Sequence, residues 1–351
     1  MFTLDEPTLP LIAAPMAGGA STPDLVAAVN AAGGLGFLAA GYRTAAAMTE
    51  QIAHTRALTD RPFGVNLFVP GPTDPQALAG VPRYRAELLP EARRRGVDLP
   101  ELIPADDEDW SAKIAALLAD PVALVSYTFG LPTRQEAAGL RAVGTAQVAT
   151  VTSADEARAA AALGVDALCV QGPEAGGHRG THRADTVPGT EPLLALLSAV
   201  RAAVDLPLIA AGGLGTGDRL AAALGAGARA VQLGTAFLRC DEAGTSAPHR
   251  AALADPAFTE TVVTRAFTGR AARGLRNAFT DRHADHAPHA YPAVHHLTAP
   301  LRAAAAARGD LQELHLSAGT AHRAARAEPA GEVVARLWHE TEQARGGSGA
   351  R

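Results

Sequence analysis

Aromatic residues make up only 4% of the 351 residues. So few rings leave no stacking platform for bases, and 31 basic against 36 acidic residues leave no positive excess for a phosphate backbone. Nucleic acid is therefore not an expected partner. Cysteine is scarcer still. Cys169 and Cys240 are the whole supply, and both fall in apolar runs. They read as buried free thiols in a reducing compartment, not as a disulfide framework. No stretch of about 18 apolar residues runs free of charge or proline, so no membrane span is expected. The acidic start, MFTLDEPTLP, has neither the basic region nor the cleavage site of a signal peptide. These exclusions leave a cytoplasmic, soluble protein directed at small molecules, with a net charge of −5.

Apolar residues are plentiful, at 48%, and so is glycine, at 35 residues. A chain of this length and composition forms one large domain, or a large domain with a smaller one attached. Eight short apolar runs recur: 11–15, 35–40, 63–68, 123–127, 145–150, 167–170, 207–211 and 230–234. They are continuous and do not alternate with polar residues, as expected of parallel strands covered on both faces. Alanine-rich helical stretches separate them. Thr22-Pro23 opens one with a cap and a proline at the first helical position. Ser153 with Glu156 forms a capping pattern for another. Gly217-Asp218 opens a third, ending at Gly225 or Gly227. Eight strands alternating with helices predict an α/β fold, a (β/α)8 TIM barrel, with a doubly wound sheet as the rival.

Two regions break the repeat. Residues 70–110, with PGPTDPQ, EARRRG and ADDEDW, are too long for an ordinary connection between strand and helix. Residues 241–315 carry Arg, His and Ala at helical spacing. Together they predict a smaller, mostly helical cap over 71–110 and 241–317, on a barrel built from 1–70, 111–240 and 318–351. Val333, Val334 and Leu337 should return the last helix to the barrel wall.

Chemistry in such barrels gathers at the C-terminal ends of the strands. There this sequence delivers Pro15-Met16-Ala-Gly-Gly, Asn66, Ser126 and Thr128, Gln171 and His178, Gly212-Gly213, and Gln232 with Gly234-Thr235. The glycine turns AAGGLGTG and LGT follow the seventh and eighth strands, where barrels hold phosphate on backbone N–H groups and a helix N-terminus. The Rossmann glycine spacing is absent from the first of them. The ten residues QGPEAGGHRG, 171–180, hold four glycines and a single histidine. Such a loop lets backbone approach a flat ligand while His178 faces a substrate. With an ordinary pKa near ~6.5, His178 serves either as a base toward a neutral carbon acid or as a cation toward an anion. Glu174 reads as a loop brace and Arg179 as a solvated charge. Lys113 reads as a surface charge, and Arg265, Arg270, Arg273 and Arg276 as a solvated or interdomain face. His283, His286, His289 and the pair His295-His296 match neither a helical metal pair nor a zinc finger, so no metal is expected.

APMAGG, AGGLGFLAAGY, RPFGVNLF, VSYTFG, QGPEAGGHRG, AAGGLGTGD and QLGTAFL together resemble the nitronate monooxygenases, once grouped as 2-nitropropane dioxygenases. The late stretch TRAFTGRAARGLRN and Ala290-Tyr-Pro292 are similar to that family as well. The resemblance implies a barrel with a smaller domain, bound FMN, and oxidation of nitronates by O2 to a carbonyl compound and nitrite. Propionate 3-nitronate is the implied candidate substrate. Residue by residue, it implies flavin contacts at Ala14, Pro15, Met16, Asn66, Gln171, Gly176, Gly177, Gly212, Gly213, Gln232, Leu233, Gly234 and Thr235. It implies catalysis by His178, with Thr128 and Tyr291 toward the substrate. Family members often carry a second histidine where this chain has Thr128. An FMN-dependent NAD(P)H:quinone reductase or enoyl reductase shares the barrel and the flavin loops and stays an alternative. So does a phosphate-binding isomerase or a non-catalytic sensor. The sequence leaves open whether the chain forms a homodimer.

Overall fold

A computed structural model describes residues 3–71, 75–101 and 106–347. Parts of PGPTDPQ and ADDEDW, and residues 348–351, lie outside the described residues. Eight parallel strands close into a barrel: β1 (Leu11–Ala13), β2 (Leu35–Ala39), β3 (Gly64–Phe68), β4 (Leu124–Thr128), β5 (Ala146–Val151), β6 (Ala167–Gln171), then β8 (Leu208–Ala211) and β9 (Ala230–Leu233). β7 (Gly177–His178) is not a barrel strand. Closure comes from β1 pairing with β9, with Ile12 opposite Gln232. The doubly wound alternative is thereby ruled out.

The strands are buried on both faces, which is why they read as unbroken apolar runs. Ile12, Phe37, Leu124, Val148, Cys169 and Ile209 fill the barrel interior. The opposite faces pack against the helical ring, and Val333, Val334 and Leu337 of the Ala330–Gly347 helix are fully buried there. Helix starts follow the sequence, with one change. Thr22 accepts the N–H of Leu25 at 3.0 Å, and Ser153 accepts that of Glu156 at 3.2 Å. The Glu156 carboxylate does not complete the predicted box. It takes the N–H groups of Thr152 and His182 instead, tying the loop after β6 to the end of β5.

The insertion after β3 and the segment after β9 share one apolar cluster. Tyr84 and Leu88 of the Val81–Arg95 helix pack with Phe267, Phe279, Val294 and Leu301. This region is not helical throughout. β10 (Thr261–Thr264) and β11 (Ala272–Leu275) form an antiparallel pair, and β11 also pairs with β7. The histidine loop is thus a strand of a small three-stranded sheet.

Candidate functional site

The C-terminal ends of the barrel strands open into a cavity of about 400 Å³. Ala14, Pro15 and Met16 after β1, Asn66 in β3 and Thr128 in β4 line it. So do Gln171, Gly176, Gly177 and His178 around β6 and β7, and Gly212 and Gly213 after β8. Gln232, Leu233, Gly234 and Thr235 close the ring from β9. Tyr291 stands behind this lining, with its ring 5.7 Å from that of His178.

His178 is fixed from three sides. Its backbone pairs with Ala272 of β11. Its carbonyl accepts Gln171 Nε2 at 3.0 Å. Its Nε2 lies 2.9 Å from Thr268 Oγ1, and that hydroxyl donates onward to Arg270 O at 3.1 Å. A hydroxyl has one hydrogen, so Thr268 accepts from His178. With that hydrogen on Arg270 O the imidazole is the Nε2–H tautomer, and its Nδ1 makes no hydrogen bond among the described residues. Phe129, Tyr291, His315 and Phe68 surround the ring at centroid distances of 5.6 to 6.5 Å. Burial, then the neighbouring His315 and Arg270, push its pKa well below the ordinary imidazole range. At neutral pH it is an uncharged base.

The glycines have separate jobs. A Cβ on Gly176 would lie 2.5 Å from Gly319 N, so this residue admits the strand-like return of the chain past β7. Gly177 has φ +75° and open space where a side chain would stand, which leaves bare backbone on the cavity wall. The turn after β8 serves two ends. Gly212 and Gly213 face the cavity. Gly217 N–H instead donates to Glu340 Oε2 at 3.2 Å, so the start of the Gly217–Gly225 helix is held by a carboxylate of the last helix. A single 3-10 turn at Thr235–Phe237 offers the other helical N-terminus at this rim.

Some polar lining groups are already engaged. Gln171 bonds its own loop through Nε2 to His178 O and through Oε1 from Gly180 N at 2.8 Å. Each amide end keeps one further hydrogen-bonding position. Asn66 Nδ2 turns onto β4, reaching Ser126 Oγ at 2.9 Å and Thr128 Oγ1 at 3.0 Å. Gln232 Nε2 donates to Cys169 Sγ at 3.3 Å.

Three charges read as solvated are buried. Arg179 is 2% exposed and donates to the carbonyls of Gly172 and Gln171, bracing the histidine loop from below. Arg270 is 4% exposed, lies 3.8 Å over the Phe129 ring and donates to Thr181. Lys113 is 1% exposed, donates to Ala40 O at 2.9 Å and stands 3.7 Å from Glu108. Glu108 in turn accepts Tyr42 N–H and Tyr291 O–H. Arg273 bonds Pro173 O, and only Arg276 among the four arginines forms exposed ion pairs, with Glu260 and Asp281. Glu174 is the predicted brace: it takes Leu193 N–H through Oε1 and Thr320 N–H through its carbonyl. His283, His286 and His296 pair with Glu91, Glu87 and Asp106.

Sequence reasoning missed the wall opposite the barrel. Tyr42, Phe129, His249, His295, Arg302 and His315 all line the cavity. Tyr42 and Phe129 hold left-handed backbone, φ +64° and +79°, at the ends of β2 and β4. Tyr42 stacks on His295 with centroids 4.2 Å apart. Positive φ in bulky residues at strand ends marks a strained, functional position, but no residue-type pattern announces it.

A sequence model of the family described as nitronate monooxygenase matches residues 5–340. The chain belongs to the nitronate monooxygenase family. It is 40% identical over 340 residues to the nitronate monooxygenase of Paraburkholderia phytofirmans, covering 95% of this chain and 92% of that one. It is 35% identical to a probable nitronate monooxygenase of Staphylococcus aureus, over 95% and 94% of the two chains. Among solved structures, a nitroalkane oxidase from Streptomyces ansochromogenes superposes with a TM-score of 0.94 at 51% identity, over 98% and 99% of the chains. FabK from Thermotoga maritima superposes with a TM-score of 0.76 at 25% identity, over 98% and 96%. Membership makes the chain an oxidoreductase of the nitronate-oxidising type. None of the described helices is long and apolar enough to cross a membrane.

Proposed function

We propose that this nitronate monooxygenase family member uses bound FMN and O2 to convert nitronates, and the nitroalkanes from which they form, to carbonyl compounds and nitrite. One observation carries the reading: a neutral histidine, held at Nε2 by Thr268, lines a cavity floored by bare backbone. The floor suits a flavin. Ala14 to Met16 offer a flat apolar edge, and Gly212, Gly213, Gly234 and Thr235 offer backbone to a phosphate. FMN, when bound, supplies the electron acceptor that O2 later reoxidises.

The chain's own residues do the rest. Nδ1 of His178 takes the proton from the carbon beside a nitro group, leaving the nitronate. The Thr268 hydroxyl holds Nε2–H, so the lone pair cannot migrate to the other nitrogen. The aromatic ring wall of Phe68, Phe129 and Tyr291 excludes water from that proton transfer. Thr128 sits at the cavity edge but is tied to Asn66, and it offers a hydroxyl there, not an imidazole. Substrates bearing propionate 3-nitronate's shape or a simple alkyl chain are the candidates.

A nicotinamide-dependent reductase on the same barrel is the second reading, since the fold and its glycine loops would serve it equally. An oxygen-electrode assay with propionate 3-nitronate and alkyl nitronates, run beside NADH plus quinone, separates them. We expect a yellow protein with one FMN per chain that consumes O2 with nitronates and leaves NADH untouched. Anaerobic bleaching of the flavin by NADH would overturn the proposal in favour of the reductase. A colourless protein that FMN fails to reconstitute would overturn both.

A further inference from the structure

We propose that Arg302 recognises the negative charge of the substrate and makes the cavity selective for a compact, two-oxygen anion over its neutral acid. The inference rests on the reading of the site given above. Among the described residues, Arg302 is the one cavity-lining group with a permanent charge, and no Asp or Glu lines the cavity. Its guanidinium is held from behind. Nε donates to Thr298 Oγ1 at 3.2 Å and Nη2 to His295 O at 2.8 Å, both within the Ala293–Arg308 helix. Residues 295, 298 and 302 share one face of that helix, so the helix itself aims the fork. Nη1 makes no hydrogen bond among the described residues.

A partly buried cation left without a counter-charge is costly, and a bound anion offsets that cost. The planar fork matches two oxygens on one atom, as in a nitronate or carboxylate. The four cavity imidazoles, His178, His249, His295 and His315, are all held neutral by burial and do not compete for this role. Arg302 also helps keep His178 uncharged, so the group that draws in the anion protects the base.

Nitrate is the probe, titrated into the flavin-loaded enzyme and followed by the flavin absorbance change. Arg302→Met and Arg302→Gln should weaken nitrate binding and raise KM for an alkyl nitronate by about 10- to 100-fold, as for loss of a charged hydrogen bond. The effect on a neutral nitroalkane should be smaller by about tenfold or more. Arg302→Lys, which keeps the charge without the fork, should recover part of the affinity. Nitrate affinity unchanged in both neutral variants would overturn the proposal. So would loss of flavin binding with nitrate affinity intact in the remaining holoenzyme, because Arg302 would then serve the flavin phosphate. Failure of the wild type to oxidise any nitronate, with nitrate still bound through Arg302, would sink the function and leave the anion site standing.

Discussion

Mild acid should weaken this protein through its buried imidazoles. His249 is held down to about 4, and His295 and His315 to about 3, by burial first in each case, with Arg302 adding to the last two. Unfolded, each imidazole takes a proton near ~6.5. Folded, each waits for a much lower pH. Folded pKa values below the unfolded one mean that stability is fully present above about 6.5 and drains away as pH falls. Between about pH 7.5 and 5.5 each imidazole accounts for about 1.4 kcal/mol, so with His178, which burial also holds down, the four together remove about 5–6 kcal/mol. That is a large share of the 5–15 kcal/mol, roughly, that holds a domain folded. Glu91, held to about 2, loses its contribution only below about 4.5 and lies outside this window. Glu108, pushed up by burial, works in the opposite sense. A single substitution isolates the imidazole part. Urea unfolding followed by tryptophan fluorescence should give a stability loss of about 5–6 kcal/mol over that range, and His315→Asn should remove about a quarter of it. A loss below about 1 kcal/mol, or an unchanged slope in His315→Asn, would refute the reasoning.

His178→Asn should lower turnover of a neutral nitroalkane by about 100- to 10,000-fold but that of a preformed nitronate far less; equal losses in steady-state assays would remove His178 as a base. Lys113→Met strands the Glu108 carboxylate in the interior and should cost about 3–5 kcal/mol in thermal or urea unfolding, while adding Glu108→Gln should restore most of it. Gly176→Ala places a methyl 2.5 Å from Gly319 N and 2.6 Å from Ala318 C. Both are backbone atoms, so the fold must shift. A loss of about 1–3 kcal/mol, with a lower ratio of flavin to protein absorbance, is expected.

The barrel was legible because its strands are sealed on both faces. Runs such as 167–170 need to be apolar at every position, and that is a strong signal in sequence. The cavity floor followed from it, since glycines and amides at strand ends fall on one rim. The small sheet was not legible. β7 is two residues long, Gly177–His178, and β11 carries Arg273 in its middle, so neither shows a strand's pattern. Buried Lys113 and Arg179 were misread because their partners are backbone carbonyls of Ala40 and of Gly172 and Gln171, which no residue type advertises. The far wall eluded the sequence for a related reason. Tyr42, His249, His295, Arg302 and His315 come from separate stretches and meet only after the chain has folded back over the barrel.

The histidine loop departs from β6 and is stitched at Gly177 and His178 to β11. The base therefore belongs to two bodies at once. Any motion that lifts the small sheet from the barrel rim drags the imidazole off its Gln171 anchorage and out of register with the floor. An enzyme that admitted its substrate by that door would be chemically inert while the door stood ajar. With His178 as the proposed base, proton abstraction would be confined to the arrangement in which the small sheet sits on the rim.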